Sequence, residues 1–126
     1  MRYLLDAAFL IDHLRADSAA LARLDAMHLA GDDPIVTSIT HAEVWSGLRP
    51  GHEAPIDQFL RYLEYVHAGP AAARLAGEWR AAALAGGRTL DVTDALIAAT
   101  AYHLDAVVLT RNVRDFELTP VRVETY

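Results

Sequence analysis

Thr93-Asp94-Ala95-Leu96-Ile97-Ala98-Ala99-Thr100-Ala101 runs on through Tyr102-His103-Leu104-Asp105 into Ala106-Val107-Val108-Leu109-Thr110-Arg111-Asn112. The first part is apolar on every side, which implies a helix over Ala95–Leu104 that is buried all round. Thr93-Asp94 is placed to cap it. Ala106–Leu109 is a short apolar run bounded by polar residues, the pattern of a buried strand. A buried helix feeding a buried strand is half of a β-α-β unit, and it sets the expectation for the rest of the chain.

Working outward, Arg2–Leu5 reads as a first buried strand that ends at Asp6. Helical spacing follows over Leu10 to Leu14 and Leu21 to Leu29, the second with an N-cap available at Asp17-Ser18. Gly31-Asp32-Asp33-Pro34 is a turn. Pro34–Thr37 is a second strand, and Ser38 or Thr40 is expected to cap a helix through Leu48 that contains Glu43. Arg49-Pro50-Gly51 stops it. Residues 54–64 suit another helix, Tyr65–His67 a short strand, and Ala71–Leu84 an alanine-rich helix closed by Gly86-Gly87. Val121–Glu124 adds an edge strand. Alternating strands and helices predict an α/β fold, a mostly parallel sheet of four to five strands with helices on both faces. One domain over residues 1–126 is expected from the length.

Composition narrows the chemistry. All 11 basic residues are arginine, so there is no P-loop lysine, Schiff-base lysine or receiver-domain lysine. There is no cysteine and no Gly-x-Ser-x-Gly elbow, and the six histidines show no zinc-ligand spacing. A net charge of −6 argues against an extended, charge-driven nucleic-acid surface, while leaving room for local grip by arginines and a metal. No apolar run approaches a membrane span, and Asp6 and Asp12 interrupt the layout of a signal peptide. A cytoplasmic protein is the expectation.

The informative pattern is acidic. Ligands of an open parallel sheet bind beyond the carboxyl ends of its strands. Asp6 follows the first strand, and Thr110-Arg111-Asn112 follows Ala106–Leu109, so both stand on one rim if those strands are parallel neighbours. Asp94 either caps its helix or leans into the same crevice. Asn112 and Asp115 share one face of a helical turn. Glu43 sits among apolar helix residues, and a buried carboxylate needs an arginine or a metal. Asp115 is either solvated, paired with Arg111 or Arg114, or part of the cluster.

With those stretches in hand, the chain resembles the PIN-domain ribonucleases, and among them the VapC-type toxins of bacterial toxin–antitoxin pairs. The resemblance rests on Tyr3-Leu4-Leu5-Asp6 with Leu10-Ile11-Asp12, and on Ser38-Ile39-Thr40-His41-Ala42-Glu43 with Gly47. It continues in Thr93–Ala101 and in Leu109-Thr110-Arg111-Asn112-Val113-Arg114-Asp115-Phe116, so it covers essentially the whole chain. It implies a helix–sheet–helix sandwich and metal-dependent endonucleolytic cleavage of RNA (tRNA, rRNA or mRNA). It further implies magnesium or manganese, a homodimer, and a small antitoxin that occupies the active site. Carried over, Asp6 and Asp94 are the principal metal ligands and Glu43 completes or orients the site. Asp115 supplies the fourth charge, with Asn112 a polar neighbour.

Thr110, Arg111 and Arg114 are expected on the substrate side, the arginines either holding phosphates or neutralising the acids. One departure is Ala7-Ala8, where the family often has a hydroxyl. The alternative reading is a catalytically weak or dead PIN-like module that binds RNA or protein.

Overall fold

In the computed structural model, residues Met1–Tyr126 form one five-stranded sheet with helices on both faces. In chain order the elements are β1 (Arg2–Leu5), α1 (Ala7–Leu14), α2 (Ser18–Ala30), β2 (Asp33–Thr37), α3 (Ser38–Ser46) and α4 (Glu53–Leu60). There follow β3 (Glu64–Val66), α5 (Pro70–Ala85), α6 (Val92–His103), β4 (Val107–Leu109), a 3-10 turn (Val113–Phe116) and β5 (Val123–Glu124). No helix is long and apolar enough to cross a membrane.

The strand order is β3-β2-β1-β4-β5, and every pairing is parallel. β1 is the centre, with Leu4 opposite Ile35 on β2 and Val108 on β4. Its side chains alternate between the two faces, as a pleated strand requires. Tyr3 and Leu5 join Phe9, Leu10, Met27, Val44 and Ile56 in one core layer, while Leu4 joins Ile97, Ala98, Ala101 and Phe116 in the other. α5 covers α6 in turn, where Ala72 and Ala76 meet Ala95 and Ala99. Small residues at that seam let the two helices approach closely, while Ala71, Ala73, Ala81, Ala82 and Ala85 of α5 face outward.

The local boundaries have local causes. Asp17 caps α2 by accepting from the Ala20 amide at 3.0 Å. Gly31, at φ 73°, ends it, and Asp32 N reaches back to Met27 O, the bond that closes a Schellman turn. α3 is capped by Thr37, not by Ser38 or Thr40. The strand ends in extended geometry at Thr37, whose hydroxyl accepts from the Thr40 amide at 3.0 Å. α6 begins earlier than its apolar run suggests. Its N-cap is Asp91, which accepts from the Thr93 amide, so Asp94 lies inside the first turn and is not the cap. The helix expected over 54–64 stops at Leu60, and a turn through Leu63 delivers β3 one residue early.

The topology creates the site. The chain winds from β1 outward through β2 and β3, then returns to place β4 on the other side of β1. The connections leaving the carboxyl ends of β1 and β4 therefore part in opposite directions and open a crevice between them.

Candidate active site

Asp6 enters that crevice first, because it is the residue between β1 and α1. Its amide bonds Leu109 O at 3.1 Å, which locks the two strand ends together. Its carboxylate is 6% exposed and accepts the Thr110 hydroxyl at Oδ2, 2.8 Å away. Burial pushes the Asp6 carboxyl up, the Thr110 hydroxyl and the Ala7 amide oppose this, and the negative charge of Asp115 adds to the rise.

Glu43 comes from the middle of α3 and is half-buried. One of its oxygens, Oε1, is buried without any hydrogen-bond partner. Burial raises its carboxyl, and the charges of Asp6, Asp91 and Asp115 raise it further. Asp94 projects from the first turn of α6. Burial, then Asp115, Asp6, Asp91 and Glu43, push its carboxyl from 3.8 to about 7. No arginine is among the groups acting on these three carboxylates. The molecule thus gathers negative charge in a partly desolvated crevice and places no cation there.

Asp115, in the 3-10 turn after β4, is exposed yet acts on all three. Asn112 precedes that turn and makes no side-chain hydrogen bond to Asp6, Glu43 or Asp94; its amide bonds Thr110 Oγ1 at 3.0 Å and its carbonyl accepts the Asp115 amide at 3.1 Å. The four carboxylates expected from the sequence are therefore electrostatic neighbours. Asp91 joins them as a fifth, and the sequence reading missed it. Its signal was present in the Asp91-Val92-Thr93-Asp94 spacing, where either aspartate could have been the cap.

Two of the residues expected on the substrate side have partners within the protein. Thr110 is wholly buried, so its hydroxyl serves Asp6 and does not face the solvent. It also supplies Asp6 with a hydroxyl in a site where Ala7 and Ala8 offer none. Arg111 turns away from the acids and pairs with Asp12 on α1, Nη1 to Oδ1 at 2.5 Å. Arg114 is exposed and has no carboxylate partner. His41 faces away from Glu43, with Nδ1 at 2.8 Å from the Tyr65 hydroxyl. It lines a separate hollow of about 570 Å³ with Ser38, Ala42, Trp45, Ser46 and Asp57.

As the side chains stand, no three His, Asp or Glu groups converge into a ready set of ligands. Hard oxygen donors, an orphaned Glu43 oxygen and carboxyls raised by burial and then by one another's charge nevertheless fit a hard divalent cation such as magnesium or manganese. Asp6, Glu43, Asp94 and Asp115 are the residues with charge to offer it.

The sequence model of the PIN domain matches residues 3–120. The chain is 31% identical over 117 residues to Ribonuclease VapC19 of Mycobacterium tuberculosis, covering 93% of this chain and 94% of that protein. Its fold matches that of VapBC bound to DNA from Salmonella typhimurium with a TM-score of 0.85 at 25% identity, over 99% of this chain and 98% of that one. VapBC2 of Rickettsia felis, bound to a DNA fragment from its promoter, gives a TM-score of 0.88 at 22% identity, over 100% of this chain and 99% of that chain, a likeness of fold. The carboxylate crevice, the parallel sheet around it and these matches lead to one conclusion: the chain belongs to the PIN-domain family.

Proposed function

We propose that this protein is a metal-dependent endoribonuclease, the toxin of a toxin–antitoxin pair, which hydrolyses phosphodiester bonds in RNA. The observation that carries the reading is the crevice itself: Glu43 keeps a buried oxygen without a partner beside Asp6 and Asp94, and no arginine compensates them. The ribonuclease name of its relative and the toxin–antitoxin complexes among its structural neighbours support the activity and the class of partner.

Asp6 and Asp94 would be the principal ligands of the cation, Glu43 would complete or orient the site, and Asp115 would close it from the rim with Asn112 as a polar neighbour. When bound, magnesium or manganese polarises a phosphate oxygen and lowers the pKa of the attacking water. The chain's own residues do the rest. Thr110 holds Asp6 in its rotamer by a buried hydrogen bond. Burial first, and then the neighbouring carboxylates, raise the Asp94 carboxyl, so cation binding there would be coupled to proton release. Arg114, exposed on the 3-10 turn that carries Asp115, offers its guanidinium to a phosphate of the RNA backbone.

An antitoxin that blocks the crevice, a homodimer and a cytoplasmic location complete the proposal. The alternative of a dead module draws its force from Ala7-Ala8 and from the missing acid at Asn112; the Thr110 hydroxyl on Asp6 supplies a hydroxyl where Ala7 and Ala8 have none.

The test is cleavage of total tRNA and of a labelled ribosomal RNA fragment with Mg²⁺, with Mn²⁺ and with EDTA, using wild type and Asp94→Asn purified side by side. Discrete products that need metal and vanish in the variant are the expected result. Equal products from both proteins would mark a contaminating nuclease, and a wild type that neither cuts nor is stabilised by metal would sink the reading.

A further inference from the structure

Asp12 is 7% exposed, on the α1 face toward the last residues of the chain, and the cleavage chemistry proposed above does not use it. Both of its oxygens are occupied. Oδ1 accepts Arg111 Nη1 at 2.5 Å and Oδ2 accepts the Tyr126 hydroxyl at 2.6 Å. The Tyr126 ring stands edge-on to buried Phe9 of the same helix, 5.0 Å between centroids. Three distant parts of the sequence therefore meet at one carboxylate.

What they hold matters for the crevice. Residues 111–115 are all exposed, and among them only Arg111 makes a side-chain hydrogen bond. The segment is anchored at its ends by Thr110 on Asp6 and by buried Phe116. Between those anchors it carries Asp115, the charge felt by Asp6, Glu43 and Asp94 together. Where this short rim sits sets how close Asp115 comes to the other three, and Arg111 is its lateral tie to α1, the helix that Asp6 begins.

We propose that Asp12, Arg111 and Tyr126 form a clamp that fixes the Thr110–Asp115 rim against α1, so that Asp12 and Tyr126 are positioning residues of the cleavage site. This rests on the ribonuclease reading above. It assigns Arg111 to holding the rim and leaves phosphate contact to Arg114.

The variants are Tyr126→Phe, which keeps the ring on Phe9 and removes one hydrogen bond, and Asp12→Asn, which keeps the shape and removes the charge. Three quantities decide: amide hydrogen exchange at residues 110–115, Mn²⁺ affinity by titration calorimetry, and kcat and KM on an RNA that wild type cuts. The clamp predicts faster exchange at the rim, several-fold weaker Mn²⁺ binding and a kcat lowered roughly 10- to 100-fold, with KM unchanged.

A fall in melting temperature with rim exchange, Mn²⁺ affinity and kcat unchanged would leave only a structural pin and overturn the proposal. So would a raised KM with unchanged kcat in Asp12→Asn and in Arg111→Lys, since Arg111 would then be a phosphate ligand. Wild type that neither binds Mn²⁺ nor cuts RNA overturns the ribonuclease reading, and the positioning role falls with it. Unchanged rim exchange in variants of an active enzyme overturns the clamp alone.

Discussion

The hydroxyl of Thr110 donates to Asp6 Oδ2 across 2.8 Å, between the carboxyl ends of two parallel strands whose residues lie far apart in the sequence. This bond is both the seam of the sheet and the first element of the candidate site. Thr110→Val keeps the volume and deletes the donor. It should cost about 1–3 kcal/mol of stability, because a buried acceptor loses its partner. The Asp6 carboxyl, already raised, should rise further, so cleavage at pH 6 should suffer more than cleavage at pH 8. Urea unfolding and a pH–rate profile measure the two effects.

The metal-free protein should lose stability as the pH climbs. The Asp94 carboxyl stands at about 7 in the folded state against 3.8 for an unperturbed group. The folded protein therefore holds that proton more tightly than the unfolded chain. Its contribution is fully present below the unfolded value and disappears as the pH rises through the folded one. Asp94 is only half-buried, so solvent screening reduces the effect to a few degrees of melting temperature between pH 5 and pH 8. Asp94→Asn should flatten the slope, and saturating Mn²⁺ should remove it. Melting curves across pH, with and without the ion, check this.

Glu43→Gln should separate stability from activity. The change keeps the shape of the side chain and deletes a charge that three other carboxylates oppose. The metal-free variant should be more stable than wild type, while cleavage should fall by roughly 100-fold or more, the scale of losing one electrostatic element of a catalytic site. A variant that is both less stable and fully active would refute the assignment.

Arg114→Ala should weaken RNA binding without disturbing the acids. Arg114 has no carboxylate partner, so its removal leaves no charge unpaired. KM should rise several-fold at unchanged kcat, and the dependence of binding on log salt should become shallower by about one phosphate contact. Binding in Ca²⁺ at several salt concentrations, together with initial rates in Mg²⁺, provides the measurement.

The legible part of this molecule was the part encoded locally. Tyr3–Leu5, Ile35–Thr37 and Val107–Leu109 are apolar runs ending at polar residues, and burial makes each a strand of the parallel sheet. Asp6 and Thr110–Asn112 could be placed on the rim from the carboxyl ends of their strands, and Asp115 only through the helical turn it shares with Asn112. The start of α6 was less legible, because Asp91 and Asp94 stand three residues apart and either can cap a helix. Extended geometry at Asp91, with its side chain on the Thr93 amide, decides the matter and releases Asp94 into the crevice. Edge strand β3 was displaced by one residue because its three residues are mostly exposed and carry little hydrophobic signal.

The pairing of Arg111 with Asp12 had no local signal at all. It joins residues separated by 99 positions, and only the return of β4 beside β1 makes them neighbours. The same distance hid the burial of Thr110, which the sequence placed only on the substrate side of the rim.

That return of β4 also sets a timetable. A growing chain makes Asp6 and Glu43 early, but Asp94 and Asp115 lie in its final third, and the crevice has no second wall until β4 slots in next to β1. At about 5–20 residues per second, translation separates the first acidic group from the last by several seconds. During that interval the emerging polypeptide carries only part of its acidic crevice, with Asp6 and Glu43 made and Asp94 and Asp115 still to come.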